Sequence, residues 1–192
     1  MRLLGREEEA LTQIQEALAL DPLSLVINME AGLPYYFMRR NEEAIRCYQK
    51  ALDLDPNFSQ AHINMGWAYE AEGDYQQAIV ELETAARLDA TTPALGALGR
   101  VYGLAGRTAD ALRIRHEVEQ RLTPALAAPA FALGQIDMSL GEYDKAMDWF
   151  ERSSREHYWG VLWMYACPRW DRLRPNPRFV ALVRSMNLPA TP

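Results

Sequence analysis

The chain has few of the residues from which catalytic and metal sites are usually made. It contains only two cysteines, Cys47 and Cys167, and three histidines, His62, His116 and His157, that lie far apart in sequence. No Cys or His spacing is typical of a zinc site, and no nucleophile is paired with a base. We therefore predict no catalytic residue, no metal and no cofactor, and we interpret both cysteines as reduced and structural. The chain is not expected to be an enzyme.

Long apolar runs and excess positive charge are also missing. No run of about 18 apolar residues occurs, so no membrane helix is predicted. The first residues, MRLLGREEEAL, are acidic, whereas a secretory signal is basic and then apolar. The formal net charge of -6 argues against nucleic-acid binding, which needs clustered positive charge. These features predict a cytoplasmic protein whose partner is neither a membrane nor a nucleic acid.

A pattern of small, aromatic and apolar residues recurs about every 34 residues. Its clearest copy, 59–92, places Gly66 and Tyr69 on one amphipathic helix, with Gly73 at the turn before a second helix. Another copy spans 25–58, a partial copy precedes it, and two looser copies follow. Such a helix pair cannot bury its apolar faces alone, so the pattern predicts stacked repeats.

Three positions depart from this pattern. Arg115 stands where a large apolar residue is expected, and Asp137 stands where three other copies have Tyr. The packing should therefore differ locally at both. Pro34 falls inside a first helix and removes the hydrogen bond from its nitrogen to the carbonyl of Glu30. We predict a kink there.

These residues resemble the tetratricopeptide repeat family, in which Trp-x2-Leu-Gly-x2-Tyr is followed by Ala, Phe, Ala and Pro at set positions. The resemblance covers Met1 to about Trp159, with Asn28 and His62 in place of the first Trp and Ala90 in place of the final Pro. It implies an all-α fold, a right-handed superhelix of antiparallel helix pairs. It also implies that the chain binds other proteins in a concave groove.

The repeats set the expected boundaries within one domain. We predict the second helix of an incomplete repeat at 1–22, repeats at 23–58, 59–91 and 92–125, a divergent repeat at 126–160, and a C-terminal capping segment and helix at 161–192. The helix at 1–22 lacks its partner, which would leave an exposed apolar edge at Leu11, Ile14 and Leu18. We expect an upstream domain of a longer protein to cover this edge, with a homodimer as the second possibility.

The C-terminal part of the chain is rich in Trp and Arg. Four of the five tryptophans lie between Trp149 and Trp170, and Asn176 followed by Pro177 predicts the start of a capping helix. The ending from Pro168 to Leu182 resembles that of tetratricopeptide arrays in large bacterial signalling proteins, which implies an upstream regulatory or catalytic domain. Capping and ion pairing explain the arginines of this tail more simply than nucleic-acid binding does.

In this family one side of each first helix faces the groove, which implies a largely apolar groove here. Trp67 and Tyr36 would be aromatic anchors, and Asn64 and Arg100 polar ones. The Lys and Asn pattern with which some members hold a C-terminal carboxylate is absent. The candidate groove residues are Met29, Leu33, Tyr36, Phe37, Ile63, Asn64, Trp67, Glu70, Arg100, Leu104, Phe131 and Gln135.

Two functions fit this groove. The first is a protein-interaction scaffold or regulatory module that binds an apolar or amphipathic segment of a protein or peptide partner. The alternative is a sensor module that holds a small apolar effector. The same aromatic side chains could instead pack against adjacent helices or a covering segment of the chain itself. The sequence leaves these possibilities open.

Overall fold

The computed structural model of the chain describes residues 7–123 and 128–186. Twelve α-helices follow one another in these ranges, with a 3-10 helix, Pro168–Leu173, before the last. They are α1 Glu7–Leu20, α2 Leu25–Glu30, α3 Gly32–Phe37, α4 Asn41–Leu54, α5 Ser59–Glu72, α6 Tyr75–Leu88, α7 Thr92–Leu104, α8 Thr108–Glu119, α9 Ala128–Ser139, α10 Tyr143–Arg155, α11 Gly160–Ala166 and α12 Pro177–Ser185. Consecutive helices pack in pairs, which confirms the all-α prediction. Within the described ranges, no helix is long and apolar enough to cross a membrane.

The chain forms two compact bodies that divide between Asp89 and Ala90. In the N-terminal body α4 packs on α2, α3 and α5, and α5 packs on α6. In the C-terminal body α7 packs on α8 and α9, and α9 packs on α10. At the start of the N-terminal body, α1 packs on α2 and α3. Leu11 is buried there and Ile14 and Leu18 are partly buried, so this apolar side is less exposed than the sequence predicts.

Close packing within each helix pair depends on glycine in the first helix. A Cβ atom at Gly66 would lie 2.6 Å from Cγ of Leu82, and one at Gly134 would lie 2.5 Å from the ring of Phe150. Leu82 and Phe150 are fully buried, so neither has room to move aside. Gly73 ends α5 with a φ of 80°, a left-handed conformation that glycine adopts without strain.

The first helix of the 23–58 repeat is divided in two. α2 ends at Glu30 and α3 begins at Gly32, with Ala31 between them. Pro34 has no N–H to donate to the carbonyl of Glu30, so the regular hydrogen-bond pattern cannot continue through this turn. The helix is interrupted at the predicted place, although Ala31 keeps helical dihedral angles (φ −60°, ψ −24°); the kink itself stays a prediction.

Arg115 and Asp137, two of the three departures from the repeat pattern, are hydrogen-bond partners. Nε of Arg115 donates to Oδ1 of Asp137 at 2.6 Å, and Nη2 donates to Oδ2 at 3.3 Å. Nε1 of Trp149 donates to the same Oδ2 at 3.0 Å. The hydrogen bond to Asp137 raises the pKa of Arg115, which also pairs with Glu119 at 3.0 Å. A polar cluster therefore joins α8, α9 and α10 where the other repeats place large apolar residues and Tyr.

The last helices cover the end of the C-terminal body. α11 packs on α9 and α10, and α12 packs on α10. Arg178 of α12 reaches α10, where it pairs with Asp148 at 2.6 Å and Glu151 at 2.9 Å. Oδ1 of Asn176 accepts hydrogen bonds from the backbone N–H groups of Arg178 and Phe179. The predicted N-cap is thus confirmed.

Replacing Asn176 by Ala removes both capping hydrogen bonds. We expect the free energy of unfolding to fall by about 1 kcal/mol, because two backbone N–H groups lose their acceptor. Asn176→Asp is the matched control, since a carboxylate accepts the same bonds and its charge favours a helix N-terminus. Chemical denaturation followed by circular dichroism compares the two. Equal stability of both variants would contradict the capping role.

Candidate functional site

The candidate groove residues are divided between the two bodies. The N-terminal groove face, on α2, α3 and α5, consists of Met29, Leu33, Tyr36, Phe37, Ile63, Asn64, Trp67 and Glu70. The C-terminal groove face, on α7 and α9, consists of Arg100, Leu104, Phe131 and Gln135. Leu33, Phe37, Trp67 and Leu104 are partly buried, and the other eight are buried.

On the N-terminal groove face the predicted polar anchor is Asn64, and it forms hydrogen bonds within its own body. Nδ2 of Asn64 donates to Sδ of Met29 at 2.8 Å, which links α5 to α2. Oδ1 of Asn64 accepts from Nε2 of Gln60 at 3.0 Å. Asn64 therefore positions the helices that carry the face.

The apolar residues of the same face divide into core and surface. Tyr36 is fully buried, with its ring centroid 5.8 Å from that of Phe37. Trp67 keeps part of its side chain accessible, as do Leu33 and Phe37. Val26 of α2 is 56% exposed. Of the two predicted aromatic anchors, Trp67 is the one that solvent reaches.

The C-terminal groove face is covered by the chain itself. Trp170, in the 3-10 helix, has its ring centroid 5.6 Å from that of Phe131 and 5.3 Å from that of Phe150. Nη2 of Arg100 donates to the backbone carbonyl of Arg169 at 3.1 Å, and its guanidinium carbon lies 5.4 Å from the centroid of the Trp170 ring. Trp170 is only 2% exposed. Arg100 and Phe131, which the sequence offers to a partner here, therefore contact the 3-10 helix of the same chain.

Sequence reasoning missed Trp170 and the carbonyl of Arg169 as occupants of this face. The 3-10 helix that carries them has no repeat and no amphipathic period from which its position could be inferred. One signal was present: Arg100 is a lone cation among apolar groove residues, and a buried cation needs an acceptor. The predicted capping segment, 161–192, was the place to look for it.

His62, Cys47 and Cys167, for which we predicted no catalytic or metal-binding role, are packed within the helical structure. Nδ1 of His62 lies 2.6 Å from Oε2 of Glu81, and Nε2 lies 3.0 Å from the carbonyl oxygen of Pro56. His62 thus joins α5 to α6 and to the preceding turn. Burial raises the pKa of the Cys47 thiol, which disfavours its reactive thiolate, and Cys167 is buried. Among the described residues no three His, Cys, Asp or Glu side chains are grouped so that they could hold a metal ion.

Tetratricopeptide repeat profiles match four segments that together span most of the chain. A profile described as "TPR repeat" matches residues 32–73. Three described as "Tetratricopeptide repeat" match residues 59–91, 92–117 and 129–155. No curated protein matches the chain in sequence.

Solved structures share the fold at low sequence identity. A crystal structure of MamA is 22% identical with a TM-score of 0.57, covering 81% of this chain and 91% of MamA. TTC0263 from Thermus thermophilus is 20% identical with a TM-score of 0.64, covering 94% of this chain and 92% of TTC0263. YrrB, described as a TPR protein with an unusual peptide-binding site, is 17% identical with a TM-score of 0.54, covering 89% of each chain. At these identities the likeness concerns the fold alone. With four matching segments and consecutive packed helix pairs, the chain belongs to the tetratricopeptide repeat family.

Proposed function

We propose that the chain is a protein-interaction scaffold whose N-terminal groove face binds an apolar or amphipathic segment of a partner protein. The partly accessible Trp67 carries this proposal. A partly accessible Trp contributes strongly to binding when a partner buries it. In this proposal Leu33, Phe37 and the exposed Val26, which α2 and α3 carry, supply further apolar area.

The chemistry of the face favours an apolar partner over a charged one. Of its two buried polar residues, Asn64 and Glu70, Asn64 is engaged by Met29 and Gln60 within the body. A partner helix with apolar residues at i, i+3, i+4 and i+7 presents a stripe suited to such a surface. In this proposal the chain is part of a larger cytoplasmic signalling protein, because its ending from Pro168 to Leu182 resembles the ending of tetratricopeptide arrays in large bacterial signalling proteins.

Selection from a library of displayed peptides tests this function with the full chain. We expect enrichment of sequences with apolar or aromatic residues at helical spacing. Trp67→Ala should weaken binding of a selected peptide about 30-fold, which corresponds to about 2 kcal/mol, because an interface anchor is lost. Trp159→Ala is the matched control, since Trp159 is 59% exposed and lies outside both groove faces.

Two results would contradict the proposal. One is unchanged peptide affinity in a Trp67→Ala variant that still unfolds cooperatively. The other is a small molecule that co-purifies with the native chain, is detected by native mass spectrometry and is lost in Trp67→Ala. That result would favour an effector-binding module.

A further inference from the structure

The contact between the 3-10 helix, Pro168–Leu173, and the C-terminal groove face has the features of a bound peptide. One aromatic side chain, Trp170, packs against the adjoining rings of Phe131 and Phe150. One backbone carbonyl, that of Arg169, accepts a hydrogen bond from Arg100. Anchoring by an aromatic side chain and a main-chain hydrogen bond is how peptide ligands are commonly held.

We propose that residues 168–173 are an intramolecular ligand of the C-terminal groove face, and that a partner binds this face only by displacing them. This rests on the proposed function, that the chain binds protein segments. The partner's chemistry follows from what it must replace. It presents an aromatic side chain that packs against both Phe131 and Phe150, and beside it a backbone carbonyl within reach of Arg100.

The segment is attached in a way that permits exchange. A 3-10 helix has poorer hydrogen-bond geometry than an α-helix and is easily remodelled. Outside the groove face it packs chiefly against α11, and a partner that displaces it must also expose Leu173, which is 1% exposed. Nη1 of Arg174 donates to the carbonyl of Tyr165 at 3.0 Å and Nε donates to Asp171 at 2.8 Å. The side chains of Arg174 and Asp171 are 32% and 35% exposed, so these contacts can re-form with water.

The tether makes the segment a competitor that weak partners cannot displace. A covalently attached ligand acts at an effective concentration on the order of millimolar. A partner without the aromatic anchor binds too weakly to displace the tethered segment 168–173. The C-terminal groove face is therefore closed to general apolar segments and open to those that reproduce the contacts of Trp170.

A labelled peptide with the sequence of residues 168–176 is the probe, and its fluorescence anisotropy reports binding to the full chain. We expect the dissociation constant for Trp170→Ala to be at least about tenfold lower than for the original chain, because the resident anchor no longer fills the pocket. A second peptide with Ala at the Trp position is the matched control, and its dissociation constant should be the same for Trp170→Ala as for the original chain. Adding Arg100→Ala to Trp170→Ala should abolish the gain.

Two outcomes would overturn the proposal. Equal affinity of the original chain and a cooperatively unfolding Trp170→Ala variant would show that the segment does not exchange. If Trp170→Ala unfolds non-cooperatively, Trp170→Phe replaces it. Loss of cooperative unfolding in both would make the segment part of the core. Trp67→Ala, which tests the N-terminal groove face, should leave this probe's affinity unchanged, so either proposal can fail alone.

Discussion

Arg115→Ala is expected to lower the free energy of unfolding by about 3–5 kcal/mol, because it leaves a buried carboxylate without its cation. Asp137 is 2% exposed and keeps only the N–H of Trp149 as a donor from this cluster. The melting temperature should fall by on the order of 10 °C in a chain of this size. Urea denaturation and differential scanning calorimetry measure the two quantities.

Two further variants separate the buried pair from ordinary surface charge. Arg113→Ala is the matched control on the same helix, since the Arg113 side chain is 61% exposed and pairs with Asp110 across 3.5 Å. It should change stability by no more than about 0.5 kcal/mol. Arg115→Leu with Asp137→Tyr restores the residue types of the other repeats and should recover most of the loss. A loss below about 1 kcal/mol in Arg115→Ala would contradict a buried ion pair.

Phe150→Ala is expected to cost about 3–5 kcal/mol, because it removes a large side chain from a closely packed interior. Phe150 is fully buried, its ring lies 5.5 Å from that of Phe131 and 5.3 Å from that of Trp170, and Gly134 packs on its face. The cavity would extend from the helix pair α9 and α10 to the 3-10 helix. We therefore expect the emission maximum of Trp170 to move to longer wavelength as its surroundings become wetter.

The control for this substitution lies on the same helix. Tyr143 is 43% exposed, so Tyr143→Ala should change stability by no more than about 0.5 kcal/mol. Urea denaturation curves with equal slopes allow the midpoints to be compared directly. Similar losses in both variants, or an unchanged fluorescence spectrum in Phe150→Ala, would contradict the position assigned to Phe150.

The fold was predictable because local packing repeats. Gly66 opposite Leu82 and Gly134 opposite Phe150 are the same contact made twice, and each pair is 16 residues apart in sequence. Helix boundaries near Gly73 and Asn176 follow from backbone preferences that act over a few residues. The departures at Arg115 and Asp137 were visible in sequence, but their pairing depends on which helices meet, which one repeat alone does not specify.

The candidate site was less predictable, because position on a helix does not determine what covers it. The pattern assigns Tyr36 and Trp67 alike to the groove, yet Tyr36 is fully buried and Trp67 is partly accessible. Arg100 and Phe131 are likewise assigned to a surface that the tail covers. Trp170 reaches that surface through an irregular segment, whose path depends on tertiary contacts and not on hydrophobic period.

The pair of Arg115 and Asp137 also bears on misassembly. Arrays of similar helix pairs can exchange neighbours within a chain or between chains, which is a common failure of repeat proteins. If α8 packed against the equivalent helix of another repeat, Arg115 would meet Tyr35, Tyr69 or Tyr102 in place of a carboxylate. Arg115 would keep Glu119 of its own helix but lose both hydrogen bonds to Asp137, and the buried Asp137 would lose its cation. One charged junction among apolar ones therefore penalises domain-swapped and shifted arrangements that hydrophobic matching alone would tolerate.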